Sequence, residues 1–354
     1  MKEKSYNLLL ELGYQEKEIE NILITYPLTN LKDETLYKNI KNNYTNLVDI
    51  GYTKEQVLKM TTLLPSIYGY NVNKINQKID DLISLGYTKE QILKMTTLLP
   101  SILGLSINNI KQKIDDMINL GHTKEQVLKM TCSQPAIYAY SFNNIKQKID
   151  DIISLGYTKE QVLKMTTLLP SILGLSINNI KQKIDDIISL GYTKEQVLKM
   201  TTELPSLLGS SIKNISNKVE FYDSINMHEL AVLSPKYLMQ STKLSYARYE
   251  FFKRRNIDIN IDNYNKMFLS QETFKNKYYI DNKTILEMYP YEDYLKILKF
   301  YERLNTLYKL NPNEATKLIE NEVQKYLDDN NSVEKRSSNN YEKILSKNIR
   351  SKTK

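Results

Sequence analysis

Apolar residues recur in threes and fours along most of the chain, with no sustained alternation of apolar and polar positions. That period marks amphipathic helices and not half-buried strands. In GYTKEQILKMTTLLP, helical projection places Ile92, Met95 and Leu99 on one side and Glu90 and Lys94 roughly opposite. Thr88 is placed to cap this helix, and Gln91 three residues on completes a capping-box pattern. Pro100 ends it, because the residue before a proline is pushed out of the α region. The following SILGL segment is too short for a full helix. Ser106 or Asn108 opens a second helix with a stripe of Ile107, Ile110, Ile114, Met117 and Ile118. Gly121 is expected to end it in a left-handed conformation.

This helix–corner–helix pattern repeats. Glycine followed by Tyr or His and then Thr stands at Gly51, Gly86, Gly121, Gly156 and Gly191, and proline at Pro65, Pro100, Pro135, Pro170 and Pro205, both at a step of 35 residues. Residues 86–120 and 156–190 differ only at Ile92/Val162, Met117/Ile187 and Asn119/Ser189. A period of this size means stacked supersecondary units, each burying its apolar face against the next. Weaker copies flank the array around Gly13 and Pro27, and around Pro235 and Pro290. The expectation is an all-α, right-angled helical-repeat solenoid of about eight units. Its divisions are a degenerate N-terminal repeat or cap (1–50), five regular repeats (51–225), degenerate C-terminal repeats (226–331) and a basic flexible tail (332–354).

The repeat LGYTKEQVLKMTTLLPSILGLSINNIKQKIDDIISLG resembles that of the mitochondrial transcription termination factor (mTERF) family. The shared marks are Leu-Gly before a Thr-capped helix, a Pro-Ser-Ile/Leu-Leu corner, a Ser-opened helix and a return to Leu-Gly. The likeness is strong over 51–209 and weaker over 10–50 and 219–291. It implies a left-handed superhelix whose basic groove holds double-stranded nucleic acid, in transcription termination, organelle gene expression or ribosome assembly. The chain departs from the family in two respects. It begins with no transit-like segment, and its repeats carry lysine where DNA-gripping members use several arginines.

The 354 residues include 49 Lys+Arg and 41 Asp+Glu, a net charge of +8. Seven basic and two acidic residues fall in 332–354, so over half the surplus sits in the tail and the body is only mildly basic. A basic tail alone supports loose phosphate binding without specificity. Within the repeats, however, lysines recur in register. One column is Lys59, Lys94, Lys129, Lys164 and Lys199 on the first helices; a second is Lys78, Lys113, Lys148, Lys183 and Lys218 on the second helices. A third, Lys54, Lys89, Lys124, Lys159 and Lys194, stands in a first helical turn, where a cation opposes the helix dipole. Stacking turns such columns into stripes that can track a phosphate backbone, or that merely solvate the helices. Arg248, Lys253, Arg254 and Arg255, interleaved with aromatic residues, read either as a terminal clamp or as the edge of an aromatic-cored cap. Tyr68, Tyr70, Tyr138 and Tyr140 alternate with leucines after the corner and read as core filling before base stacking.

Candidate chemistry is sparse. His122 replaces a repeat tyrosine, His228 has no second His or Cys at ligand spacing, and Cys132 replaces a repeat threonine. The Asp pairs at 80–81, 115–116, 150–151 and 185–186 are exposed repeat features. One cysteine excludes an internal disulfide framework and a Cys-rich zinc site. No enzyme activity, cofactor, metal or membrane span is expected. The expected partner is nucleic acid, duplex DNA first and structured RNA second, bound by a monomer in the cytoplasm of a bacterial-type cell. The rival reading is a scaffold whose groove holds a protein partner, and a distant third is an enzyme with a pocket around His228.

Overall fold

The computed structural model describes residues 2–292 together with Leu295 and Gln324; the expected basic tail, 332–354, lies outside the described residues. Among the described residues there are 17 α-helices and no strand. They fall into two compact units, residues 1–185 with 201–209, and residues 186–200 with 210 onward.

The first unit opens with α1 (Glu3–Leu12), α2 (Glu16–Ile24) and α3 (Asp33–Ile50), then runs through regular pairs. First helices are α4 (Lys54–Leu63), α6 (Lys89–Leu98), α8 (Lys124–Ser133) and α10 (Lys159–Leu168). Second helices are α5 (Val72–Ser84), α7 (Ile107–Asn119), α9 (Phe142–Ser154) and α11 (Ile177–Ile188), the last running just past the unit's boundary. A five-residue 3₁₀ turn beginning at the proline joins the two helices of a pair, as at Pro100–Gly104.

The local grammar is visible in the hydrogen bonds. Thr88 Oγ1 accepts from the Gln91 amide at 3.2 Å while Gln91 Oε1 accepts from the Thr88 amide at 2.9 Å. The same reciprocal pair recurs at Thr53, Thr123 and Thr158. Leu99, before the proline, is extended at φ −140°. Ser106 then caps α7 through the Asn109 amide. Gly121 ends α7 at φ +116°, and a Cβ there would stand 2.9 Å from Leu163 Cδ1. The left-handed conformation demands glycine at that position, and a Cβ would also push the end of the Leu163 side chain aside. The core is built from the expected stripes: Ile92, Met95, Ile110, Ile114 and Met117 are buried, as are Tyr68, Leu103 and Leu173 after their corners.

A second, polar layer joins successive repeats. In the first unit the tyrosine after a cap glycine reaches the first helix of the next repeat, as where Tyr52 Oη meets Thr96 Oγ1 at 2.6 Å. Tyr87 meets Thr131 at 2.7 Å and Tyr157 meets Thr201 at 2.6 Å, while Tyr14 joins Thr61 and Tyr68, each at 2.5 Å. Thr96 already donates its proton to the Ile92 carbonyl at 2.7 Å, so the tyrosine is the donor across the repeat boundary. His122 takes this position once, with Nε2 3.3 Å from Thr166 Oγ1. It is a buried packing variant, and burial pushes its pKa down to about 4.

The second unit contains α12 (Lys194–Glu203, shared at its C-terminal end with the first), α13 (Ile212–Ser224), α14 (Leu230–Leu233), α15 (Thr242–Lys253), α16 (Gln271–Tyr278) and α17 (Asn282–Met288). The α14 turn and the 3₁₀ turn Pro235–Met239 preserve the helix–proline–helix order in shortened form. The core here is aromatic: Phe251, Phe252, Phe274 and Tyr278 meet mostly edge to face, with centroids 4.8–5.9 Å apart.

Candidate nucleic-acid interface

The two main lysine columns have different fates. In the second column, Lys78, Lys113 and Lys148 are half-buried and each ammonium reaches the backbone of the following repeat. Lys148 Nζ donates to the Leu175 carbonyl at 2.8 Å, Lys78 Nζ to Leu105 at 2.5 Å, and Lys113 Nζ to Tyr140. Those carbonyls belong to the residue that ends each 3₁₀ turn, a chain end that helix geometry leaves without an internal partner. Asn43 occupies the same register one repeat earlier, and its Nδ2 donates to the Tyr70 carbonyl at 3.2 Å. An uncharged side chain therefore performs the same task, which identifies the column as a brace between repeats. Lys183 is half-buried at the same register.

The brace continues into the second unit with deeper burial. Lys218 is 0% exposed and its Nζ donates to Ser245 Oγ at 2.7 Å. Arg248 stands seven residues after its helix cap Ser241, as Lys113 does after Ser106, and is 2% exposed. Its Nη1 donates to the carbonyls of Met267 at 3.0 Å and Leu269 at 2.6 Å, and its Nη2 to Asn282 Oδ1 at 2.8 Å. The Phe274 ring lies 4.1 Å from the guanidinium carbon. Desolvation pushes Lys218 down to about 7 and Arg248 down to about 10. The expectation that Lys78, Lys113, Lys148, Lys218 and Arg248 form a phosphate-facing set is therefore corrected: these cations are engaged by the fold's own oxygens, and two of them are closed off from solvent.

The first column is exposed throughout. In the first unit, α4, α6, α8 and α10 pack in sequence order, so Lys59, Lys94, Lys129 and Lys164 form a row along one edge. One turn further on, Leu63, Leu98 and Leu168 stand beside them at 57%, 43% and 53% exposure, interrupted by Ser133. Lys164 is the member that carries an ion pair, 2.6 Å from Glu203 Oε1. Lys199, also exposed, lies in the second unit. In the third column, a Cβ on Gly13 would stand 3.2 Å from Lys54 Nζ, and one on Gly51, Gly86 or Gly121 would stand 3.7, 3.5 or 4.0 Å from the ammonium of Lys89, Lys124 or Lys159. These ammoniums sit at the C-terminal end of an earlier repeat's second helix, where a cation is favoured by the helix dipole.

At the C-terminal cluster, Lys253 and Arg254 are exposed and share Glu250, at 3.9 and 3.6 Å. The Arg255 guanidinium carbon lies over Phe251, 3.6 Å from the ring centroid, and Nη1 donates to the Phe251 carbonyl. With Arg248 internal, three of the four cations stand at the edge of the aromatic core.

Little here is arranged for catalysis. Cys132 is buried and its thiol pushed up to about 11, chiefly by desolvation, which leaves it protonated and inert at neutral pH. A cavity of about 520 Å³ is lined by Asp223, Asn226, Met227, His228, Glu229 and Ile261. In it, His228 Nδ1 lies 2.6 Å from Asp223 Oδ1, and the ring stacks on Tyr192 at 4.3 Å. That His–Asp pair has no hydroxyl or thiol nucleophile among the lining residues. No group of three or more His, Cys, Asp or Glu suited to a metal occurs among the described residues. No described helix is long and apolar enough to cross a membrane.

Stacked helix–3₁₀–helix units define an α-helical repeat protein. The mTERF family model matches residues 3–275, and the chain belongs to the mTERF family. The family consists of helical-repeat proteins that bind nucleic acid and act in transcription and organellar gene expression, generally without catalysis. No curated protein matches the chain in sequence.

Proposed function

We propose that the protein binds double-stranded nucleic acid, duplex DNA in first place and structured RNA in second, and regulates transcription without catalysing a reaction. The observation that carries the reading is the row Lys59, Lys94, Lys129 and Lys164, exposed at a constant 35-residue step while the parallel column is consumed in bracing. A row of cations at fixed spacing suits a fixed-spacing polyanion, and binding of this kind is driven by counterion release. Near-identical repeats offer few side chains able to read base edges, so the affinity is expected to be steeply salt-dependent and weakly sequence-dependent. The test is fluorescence anisotropy of the full chain with duplex DNA, single-stranded DNA and duplex RNA of one sequence across a salt series. Changing Lys59, Lys94 and Lys129 together to Gln should flatten the slope of log K against log salt by about three. An unchanged slope would move the binding surface elsewhere.

One observation favours a second reading. Leu63, Leu98 and Leu168 are exposed beside the lysines, a mixture that suits an acidic, partly apolar protein segment. Salt-insensitive indifference to all three nucleic acids would favour that scaffold role.

A further inference from the structure

We infer that Glu203 is an internal competitor for the phosphate row, occupying the place at Lys164 that a nucleic-acid phosphate takes at the sister lysines; this rests on the duplex-binding reading above. Each first-column lysine of the first unit should lie against the residue 39 positions on, since the Lys164–Glu203 pair is separated by that interval and successive first helices pack alike. The alike packing is visible elsewhere. Thr167 Oγ1 lies 3.9 Å from Met130 Sδ, and one repeat on, Thr202 Oγ1 lies 3.9 Å from Met165 Sδ. The residues 39 positions after Lys59, Lys94 and Lys129 are Leu98, Ser133 and Leu168. None carries a charge, and no ion pair involves those three lysines among the described residues.

Only the last boundary of the unit breaks this rule, with a carboxylate 2.6 Å from the ammonium. Both side chains are about half exposed, at 46% and 51%, so the pair stays open to exchange with an incoming oxyanion. A carboxylate and a phosphate oxygen make the same charge-assisted contact with an ammonium. The row therefore carries three free cations and a fourth already neutralised. A duplex laid along it gains three phosphate contacts readily and a fourth only by displacing Glu203. Glu203 thereby limits the affinity and length of the bound tract.

The experiment is a double-mutant cycle on the full chain, read as binding to a fluorescein-labelled duplex over a salt series, with Lys94→Gln as reference and Glu125→Gln as a remote-charge control. Glu203→Gln should tighten binding about three-fold at low salt and steepen log K against log salt by about one. In the natural background Lys164→Gln should weaken binding by less than Lys94→Gln does. In the Glu203→Gln background it should cost as much as Lys94→Gln does alone, a coupling that Glu125→Gln lacks. If Glu203→Gln and Glu125→Gln act alike, or Lys164→Gln costs as much as Lys94→Gln in the natural background, the competitor role is overturned while the phosphate row stands. If Lys94→Gln also leaves binding untouched, both fall together.

Discussion

The brace position shows what two regions of one chain do with the same register. In the regular repeats it holds Lys78, Lys113 and Lys148, half-buried, each with its ammonium on one backbone carbonyl. In the second unit it holds Lys218 and Arg248, fully enclosed. Enclosure changes the chemistry. Arg248 replaces the lost water with three protein oxygens and an aromatic face. Lys218 has the Ser245 hydroxyl as its hydrogen-bond acceptor and the Tyr222 ring at 5.9 Å, with no carboxylate beside it, so its charged form is held at a cost. A cation repeating in sequence is thus a statement about register before it is one about surface.

Breaking the strongest brace should have the largest effect. Arg248→Met strands the Met267 and Leu269 carbonyls in the interior and should cost the second unit about 3 kcal/mol, read as a lowered urea midpoint. A midpoint within error of the natural chain would mean those carbonyls find other donors.

Lys218 comes next. Its pKa is about 7 in the folded protein against an ordinary value of 10.5, so between those limits the unfolded chain binds the extra proton and stability rises with pH. This stabilisation is full above about 10.5 and lost as pH falls towards 7. From pH 7 to 9 the natural chain should gain about 2 kcal/mol from this group, a slope that Lys218→Met should abolish in denaturant titrations at the two pH values.

His122→Tyr tests the clasp that joins repeats in the first unit. Restoring the short tyrosine–threonine hydrogen bond should add about 1 kcal/mol at neutral pH. It should also remove an acid sensitivity with a defined sign. The histidine's pKa lies near 4 when folded and 6.5 ordinarily, so its contribution is intact above 6.5 and lost as pH falls to 4. Thermal melts at pH 7 and pH 5 that leave the gap between variant and natural chain unchanged would contradict this.

The smallest effect sharpens the comparison most. Lys113→Gln should cost under about 1 kcal/mol, because the brace is half-open to water, and should leave nucleic-acid binding alone. Lys94→Gln should do the reverse.

The architecture was legible because it is written in local terms: Thr88 with Gln91, Pro100 and Gly121 each act on neighbours within a few residues. Repetition then multiplied a weak local signal. The braces and clasps escaped because they join residues 27 and 44 positions apart, where a polar residue on a helix looks the same whether it meets water or the next repeat. Lys113 and Lys94 differ in role though both are lysines at constant period. Their helices differ in which edge faces the following corner, and that is set by packing. Asn43 held the missed clue, since an amide in the lysine register suits a carbonyl acceptor better than a phosphate.

On the proposed reading the lysine columns divide the work, one binding the repeats together and the other meeting a polyanion. The most direct test compares two triple variants of the full chain, Lys59/Lys94/Lys129→Gln and Lys78/Lys113/Lys148→Gln, by duplex affinity over salt and by thermal melting. The account predicts that the first set flattens the salt slope by about three and leaves the melting temperature in place, while the second lowers the melting temperature and leaves the slope. Equal losses of slope in both sets, or a loss confined to the second, would contradict it.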